Sequence, residues 1–502
     1  MRNQRSLDLV IVTTEVVPFS KVGGLADVMG ALPDELDALG ARVKIMTPLY
    51  SSIDRSRFGI ELERALPPLE VRVAGRTERF RVHSALKPGT KVKVYFLESD
   101  RFYTRPGIYT VPETGKAFPD EDERTIFFNR AAIRAMKALA LRPEVVHCND
   151  FHAGLIPAYL ELEESDDPHV GGATTVFSVH NLAYQGIFPR EFLQKAGLKE
   201  ALFVPMSPFE YWGKVNVMKI AISFAGIIST VSRRYAEEIT TTEEYGYGLE
   251  GVLRGRKKDL VGILNGIDQK VWDPANDTFI PERFTAGNLA GKSKDRTALL
   301  KAFGLPAKSA GPVVGMVSRL VDQKGFDILA EAFDSLAALG IKLVILGTGQ
   351  EKYQEAYKRL AAKYPKKLGL KLEFNDPMAH LIEAGSDFFL MPSRYEPSGL
   401  NQMYSLRYGT IPIVRATGGL YDTIAELDRI GANGNGFTFK EYTAAALTEA
   451  VKRAVVFYAD KTALRNARKR IMAADHSWRR SAKEYLAMYE RARSLMGMEL
   501  TK

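Results

Sequence analysis

Short apolar runs alternate with amphipathic stretches along almost the whole chain, the pattern of strands joined by helices. Residues 7–13 (LDLVIVT) form the first run. It leads through Lys21-Val-Gly-Gly24 into a helix with Val28, Leu32, Leu36 and Leu39 on one face; Gly40 ends that helix, and 42–46 is the next strand. Between 69 and 97, three β-branched or alternating runs crowd together and predict a local antiparallel hairpin set. Strand patterns return at 144–147, 174–179, 227–231 and 261–264. A polar, Pro-containing segment at 268–285 precedes a second unit, with strands at 313–317, 341–346, 371–374, 387–391 and 411–414. This repetition predicts doubly wound α/β domains at 1–270 and 271–476. In the remaining segment, 477–502, Trp478, Ala482, Tyr485, Tyr489 and Ala492 make one apolar stripe on a helix. The stripe suits packing on its own domain or a return to the first.

Within the second unit, 387–422 reads as strand, polar turn, helix, strand, Gly-rich turn, helix. Glu396 sits in the first turn, and Thr417-Gly418-Gly419 opens the last helix. Ligands of open parallel sheets bind outside the carboxyl ends of the strands. A lone carboxylate and a Gly-Gly helix start at adjacent strand ends therefore suit a polar, partly anionic ligand. The same residues also suit ordinary punctuation between strands and helices.

Composition narrows the class. Hydrophobic residues are 46% of the 502 and charged residues 26%, as in a globular protein. The net charge of +9 favours anionic partners, but no basic cluster is interleaved with aromatics, which argues against nucleic acid and leaves a small polyphosphate. Cys148 is the single cysteine, so no intrachain disulfide forms and a reducing, cytoplasmic compartment is expected. The basic start followed by LDLVIVT could pass for a signal peptide, but Asp8 and Glu15 interrupt the run, and no apolar stretch is long enough to span a membrane.

Three cations lie where strands meet helices: Lys21, Arg319 and Lys324. A guanidinium can hold phosphate oxygens bidentately, and an ammonium acts as a point charge. The glycines of Lys21–Gly24 and Thr417–Gly419 let backbone approach a ligand, with helix-start N–H groups aimed at it. No P-loop and no G-x-G-x-x-G follows the first strand, which argues against an NTPase or a nicotinamide dehydrogenase; Gly347-Thr-Gly349 is a weak signal. The seven His residues show no ligand spacing, so no metal or other cofactor is expected. Asn149-Asp150-Phe151-His152 and His180-Asn181 both follow strands and are expected to rim one cleft, although core or capping roles suit them equally.

Longer motifs now join these positions. KVGGLADV at 21–28, NDFHAG at 149–154, HNLAYQG at 180–186, GYGLEGVL at 246–253, ILNGID at 263–268, SRLVDQKGFD at 318–327, PSRYEPSGLNQ at 392–402, TGGL at 417–420 and WRRSAKEYLAMYE at 478–490 occur in order. The chain closely resembles bacterial and plant glycogen/starch synthases, the ADP-glucose-dependent retaining α-1,4-glucan glucosyltransferases. The resemblance implies two Rossmann-like domains facing across a cleft, the GT-B fold. It implies a sugar nucleotide held by the second domain, a glucan acceptor held by the first, and a terminal helix returning to the first. By motif, Arg319 and Lys324 should hold the diphosphate, while Lys21 with Gly23 and Gly24 approaches the glucosyl-phosphate side. Glu396 and the amides of Ser398, Gly399 and Leu400 should orient glucosyl hydroxyls, and Thr417, Gly418 and Gly419 should face the phosphates. His180 and Asn265 resemble sugar-contacting residues, and Asp150 stands where the acceptor hydroxyl is expected.

The chemistry agrees with that implication. A retaining glycosidase needs an acid for its leaving oxygen, but a diphosphate leaves as a stable anion and requires only charge neutralisation. Removing one such electrostatic partner costs about 3–4 kcal/mol in the barrier, which gives Arg319 and Lys324 more weight than the turns. The sequence departs from the family pattern at Ser398, often Cys, and at Phe151, usually Trp; Tyr404 stands where other retaining transferases carry a second Glu. Phe374 is placed either to stack on the nucleobase or to be buried in a strand. Two rivals remain: a glucan-binding scaffold with weak activity, which would have lost the charged positions, and another GT-B glucosyltransferase with a different donor or acceptor.

Overall fold

The computed structural model describes residues 6–308 and 310–499. Residues 1–5 of the first expected domain and 500–502 of the terminal segment lie outside them. The chain divides into two compact units, one of 1–231, 236–263 and 478–502, the other of 232–235 and 264–477. The division thus falls at Ile263/Leu264, a little before the polar segment that suggested residue 270. The four residues Ser232–Tyr235 group with the second unit because Ser232 Oγ donates to the Pro397 carbonyl (2.6 Å) and the Arg234 N–H to Asp422 (2.9 Å).

The first unit is built on a ten-stranded sheet. Its parallel part runs Leu260–Gly262, Ile227–Thr230, Thr174–Val179, Val145–Asn149, Asp8–Val12, Arg42–Pro48 and Lys93–Glu98 in space. The hairpin set expected between 69 and 97 extends this edge with antiparallel strands Leu69–Val73 and Arg76–Leu86. Central strands read as continuous apolar runs because helices cover both faces; Leu9, Val10, Ile11 and Val12 are all buried.

Helix Trp478–Glu499 packs on helix Gly24–Ala38 and on strands Val145–Asn149 and Thr174–Val179, so it belongs to the first unit. Its apolar stripe, Trp478, Ala482, Tyr485, Tyr489 and Ala492, is buried there. A polar chain crosses beneath it: Tyr489 Oη meets His147 Nδ1 (2.9 Å), His147 Nε2 meets Ser178 Oγ (2.6 Å), and Ser178 Oγ meets Ser229 Oγ (2.5 Å).

The second unit has a six-stranded, all-parallel sheet: Leu368–Lys371, Lys342–Leu346, Val313–Val317, Phe388–Met391, Ile411–Arg415 and Phe437–Phe439. One strand lies earlier than the sequence suggested, at Leu368–Lys371 rather than 371–374, because Leu368 and Leu370 supply the side chains that pair with Leu343 and Ile345. Phe437–Phe439 is a further strand that the pattern did not reveal. In both units the parallel strands follow the spatial order third, second, first, fourth, fifth, sixth, and the first unit adds a seventh. This is the Rossmann order, with a switch point between the first and fourth strands. Among the described residues no helix is long and apolar enough to cross a membrane.

Candidate active site

Each switch point carries a cluster of polar side chains. In the second unit, the loop after Val313–Val317 bears Arg319 and Lys324, and the turn after Phe388–Met391 bears Glu396. Lys324 Nζ donates to Glu396 Oε2 (2.6 Å), and Ser393 Oγ donates to the same oxygen (2.9 Å). Glu396 is 5% exposed, so this carboxylate is shielded and held as an acceptor by two donors. The loops meet closely because Gly325 lies at φ 76°, where a Cβ would fall 2.1 Å from the Pro392 carbonyl oxygen. Arg319 is exposed and forms no ion pair or hydrogen bond through its guanidinium among the described residues. It is an available cation beside an already neutralised pair, which suits an incoming dianion.

The glycines have a different task from the one expected. A Cβ at Gly418 would lie 1.9 Å from the Glu396 carbonyl oxygen, and one at Gly419 would lie 1.9 Å from that of Ser398. The Gly419 N–H already donates to the Glu396 carbonyl (3.0 Å), so it is not free for a phosphate. Gly347 and Gly349 likewise press on Ser318 and Leu320, which explains the G-x-G as loop packing. Free donors occur instead in the Glu396 turn: among the described residues no acceptor takes the N–H of Ser398, Gly399 or Leu400. Gly399 is left-handed (φ 67°), and Gln402 Nε2 grips the Ser398 (3.1 Å) and Gly399 (3.0 Å) carbonyls. That grip fixes the plane of each peptide and hence where the amides point.

Phe374 is 80% exposed, in the turn between strand Leu368–Lys371 and the Asn375-capped helix Asp376–Gly385. The buried-strand alternative is therefore overturned. Asn265 is 7% exposed, and its Oδ1 is buried without a hydrogen-bond partner among the described residues. Tyr404 stacks on Trp272 at 3.8 Å, which turns it into core.

In the first unit, strand Asp8–Val12 ends in Thr13-Thr14-Glu15 and strand Val145–Asn149 in Asp150. Glu15 is buried, and its carboxylate accepts the N–H groups of Val22 and Gly23 and the hydroxyl of Tyr109 (2.6 Å). The amides expected to face an anion are thus held by an internal carboxylate. Lys21 is exposed and pairs with Asp27 (2.8 Å); an exposed pair of this kind is worth at most about 1 kcal/mol and exchanges readily for another anion. Among the described residues, nothing beyond the adjoining stretch of chain lies within 4 Å of where a Cβ of Gly23 or Gly24 would sit, so the loop's outer surface is open.

Asp150 holds a left-handed backbone (φ 52°), and its carboxylate accepts the His180 N–H (2.8 Å). Burial, with the Glu15 charge adding to it, raises its pKa to about 7. Asn149 Nδ2 donates to the Val12 carbonyl, which turns Oδ1 toward His180 Nε2 (2.9 Å). His180 therefore carries its proton on Nε2, and its Nδ1 has no partner among the described residues; burial lowers its pKa to about 4, so the ring is neutral. Beside Asp150, Phe151 stacks on His152 (3.8 Å) and lines a cavity of about 660 Å³ together with Tyr184, Phe188 and Tyr247.

The structure brings Lys324, Glu396 and the 398–400 amides together, and separately Asp150 with His180. Glu15, Tyr109, Ser393 and Gln402 escaped the sequence reading. Glu15 gave one signal, a lone carboxylate just beyond the two threonines that follow an apolar strand.

Two families match the chain: "Starch synthase catalytic domain" over residues 8–255 and "Glycosyl transferases group 1" over 300–470. A curated glycogen synthase of Thermotoga maritima is 42% identical over 98% of this chain and 100% of its own length. One of Koribacter versatilis is 43% identical over 97% of this chain and 99% of its own. Among solved structures, the catalytic domain of Arabidopsis thaliana starch synthase IV, bound to ADP and acarbose, superposes with a TM-score of 0.88 at 31% identity, covering 98% of this chain and 100% of that one. A sucrose-phosphate synthase of Thermosynechococcus elongatus reaches a TM-score of 0.57 at 16% identity, a likeness of fold alone.

Proposed function

The chain belongs to the glycogen and starch synthase family of glycosyltransferases, and on that premise we propose that it moves glucose from ADP-glucose to the 4-hydroxyl at the non-reducing end of an α-1,4-glucan, with retention and release of ADP. One observation carries this reading. The Lys324–Glu396 pair, the unpartnered Arg319 and the free amides of 398–400 gather at the ends of two neighbouring strands. The plant relative's ADP and acarbose support a nucleotide and a saccharide as ligands.

In this mechanism Arg319 and Lys324 take the diphosphate and neutralise the charge that grows as the glycosidic bond breaks. Lys324 need not leave Glu396, since an ammonium has three protons to share. Glu396, already accepting from Lys324 and Ser393, orients glucosyl hydroxyls with the amides that follow it. Lys21 exchanges Asp27 for a phosphate oxygen, Thr417–Gly419 shapes the turn around Glu396, and Phe374 stacks on the base. Asn265 and the Nδ1 of His180 accept sugar hydroxyls, and Asp150 holds the acceptor. The first unit is the acceptor domain and the second the nucleotide-sugar domain. The acceptor oxygen attacks from the face of the leaving phosphate, which takes its proton. With a single cysteine, and hence no intrachain disulfide, we place the enzyme in the cytoplasm.

Incubation with labelled ADP-glucose or UDP-glucose and a maltooligosaccharide primer tests this. Chain growth with ADP-glucose is expected, and absence of growth with both donors would overturn the reading.

A further inference from the structure

At the tip of a hairpin in the first unit, Tyr211 and Lys214 exchange both backbone hydrogen bonds (2.7 and 2.9 Å) across Trp212 and Gly213. Both central residues have positive φ, 50° and 76°. A two-residue turn of this hand selects Asn-Gly or Gly-Gly, and a bulky residue at its first position is an outlier that persists only where its surroundings enforce it. The indole gains no burial in return: Trp212 is 85% exposed. Met206, in the preceding loop, repeats the feature with φ 65° and 93% exposure. The scaffold around both is firm. Lys219 Nζ clasps the Ser207 (2.8 Å) and Glu210 (2.5 Å) carbonyls, and the Glu210 carboxylate accepts the Gly213 N–H (2.9 Å).

This turn adjoins the cavity beside Phe151. Tyr211 Oη and Gln185 Nε2 both donate to the Tyr247 carbonyl (3.1 Å each), and Val215 pairs with Phe188. Gln185, Phe188 and Tyr247 line that cavity, whose rim also exposes Tyr184 and Ile187. An aromatic face edged by the polar Glu210 and Lys214 suits sugar rings, which alternate apolar faces with hydroxyl edges. One indole and one thioether are too narrow for a stable protein interface but match the width of a single saccharide strand.

We propose that the Trp212 turn is a distal binding site for an α-glucan chain, continuous with the Phe151 cavity and several sugar units from the reacting end. The proposal rests on the glucan-acceptor reading and adds a grip on long chains that short primers do not reach. Trp212→Asn is the sharpest test, because Asn tolerates the left-handed conformation that Trp does not. The variant is expected to melt no lower than the parent, yet to lose retardation in a native gel containing glycogen, run without donor. Its KM for glycogen is expected to rise about tenfold more than its KM for the shortest extendable primer. Equal changes for long and short acceptors, unchanged retardation, or a lower melting temperature would overturn the site. If the parent elongates nothing but is retarded and Trp212→Asn is not, the synthase reading fails and the site stands; if the parent elongates and Trp212→Asn alters neither KM nor retardation, the site fails alone.

Discussion

The two units share one strand order and place their polar clusters at the same topological position, yet the clusters differ in kind. At the second unit's switch point a lysine neutralises a shielded glutamate, and an arginine stands ready beside them. At the first unit's switch point, the Glu15 charge acts on Asp150, Asp150 adjoins a neutral histidine, and the nearby lysine is engaged at the surface. On the proposed reading, one scaffold thus offers net positive charge for a diphosphate in one unit and hydrogen-bond acceptors for a neutral polyol in the other. The sheet decides where a site is, and the strand-end residues decide what it takes.

The most damaging way to disturb this contrast is Glu396→Ala. Turnover is expected to fall about 10²–10³-fold with the circular dichroism spectrum unchanged, and near-normal kcat would contradict the orienting role. Arg319→Ala comes next. It is expected to lower kcat/KM for the donor about 10²-fold, and because the side chain is exposed and unpartnered, the melting temperature should stay within measurement error. A fall in stability without a fall in activity would refute the assignment.

Glu15→Gln blurs the first unit's character more gently. An amide cannot accept from Val22, Gly23 and Tyr109 at once, so the 21–24 loop loosens and KM for the donor is expected to rise about tenfold. Removing a like charge also lowers the pKa of Asp150 from about 7. In the proposed mechanism Asp150 acts as the carboxylate, so the acid limb of the pH–rate profile should move to lower pH; a shift upward would count against the coupling.

The smallest effect is on stability in acid. Burial holds His147 and His152 at pKa values of about 3, and His180 at about 4, against 6.5 in the unfolded chain. The unfolded state therefore takes up these protons first, and stability is lost as pH falls below 6.5, by up to about 1.4 kcal/mol per unit for each histidine. In the same unit Asp150 and Glu121, raised to about 7, offset part of the loss. In the second unit Glu383 and Asp295, raised to about 8 and 6, add stability as pH falls over that range. Limited proteolysis between pH 6.5 and 4.5 should release first-unit fragments first; preferential cleavage of the second unit would reverse the comparison.

Strand positions were legible because buried parallel strands leave unbroken apolar runs, as in DLVIV and FFLM. Phe437–Phe439 escaped because a three-residue strand behind a Gly-rich turn shows no period. The strand near 371 was set too late because Leu372 and Phe374 prolong an apolar reading past the last ladder pair at Lys371. In the site, the motifs led to the loop at 21–24 and to Gly418-Gly419, but not to the partners of their amides. A glycine that admits a ligand and one that admits another loop look alike in sequence, and only the Cβ positions at Gly418 and Gly419 separate them. Gln402 was silent because its partners are backbone carbonyls, which every sequence supplies.

The placement of helix Trp478–Glu499 in the first unit has a consequence for synthesis on the ribosome. Helix Gly24–Ala38 and strands Val145–Asn149 and Thr174–Val179 emerge early, but the helix that covers them is translated after the whole of the second unit. His147 waits as long for the Tyr489 hydroxyl. The half begun first is therefore completed last, and its uncovered face is a natural client for chaperones until residue 499 has left the exit tunnel.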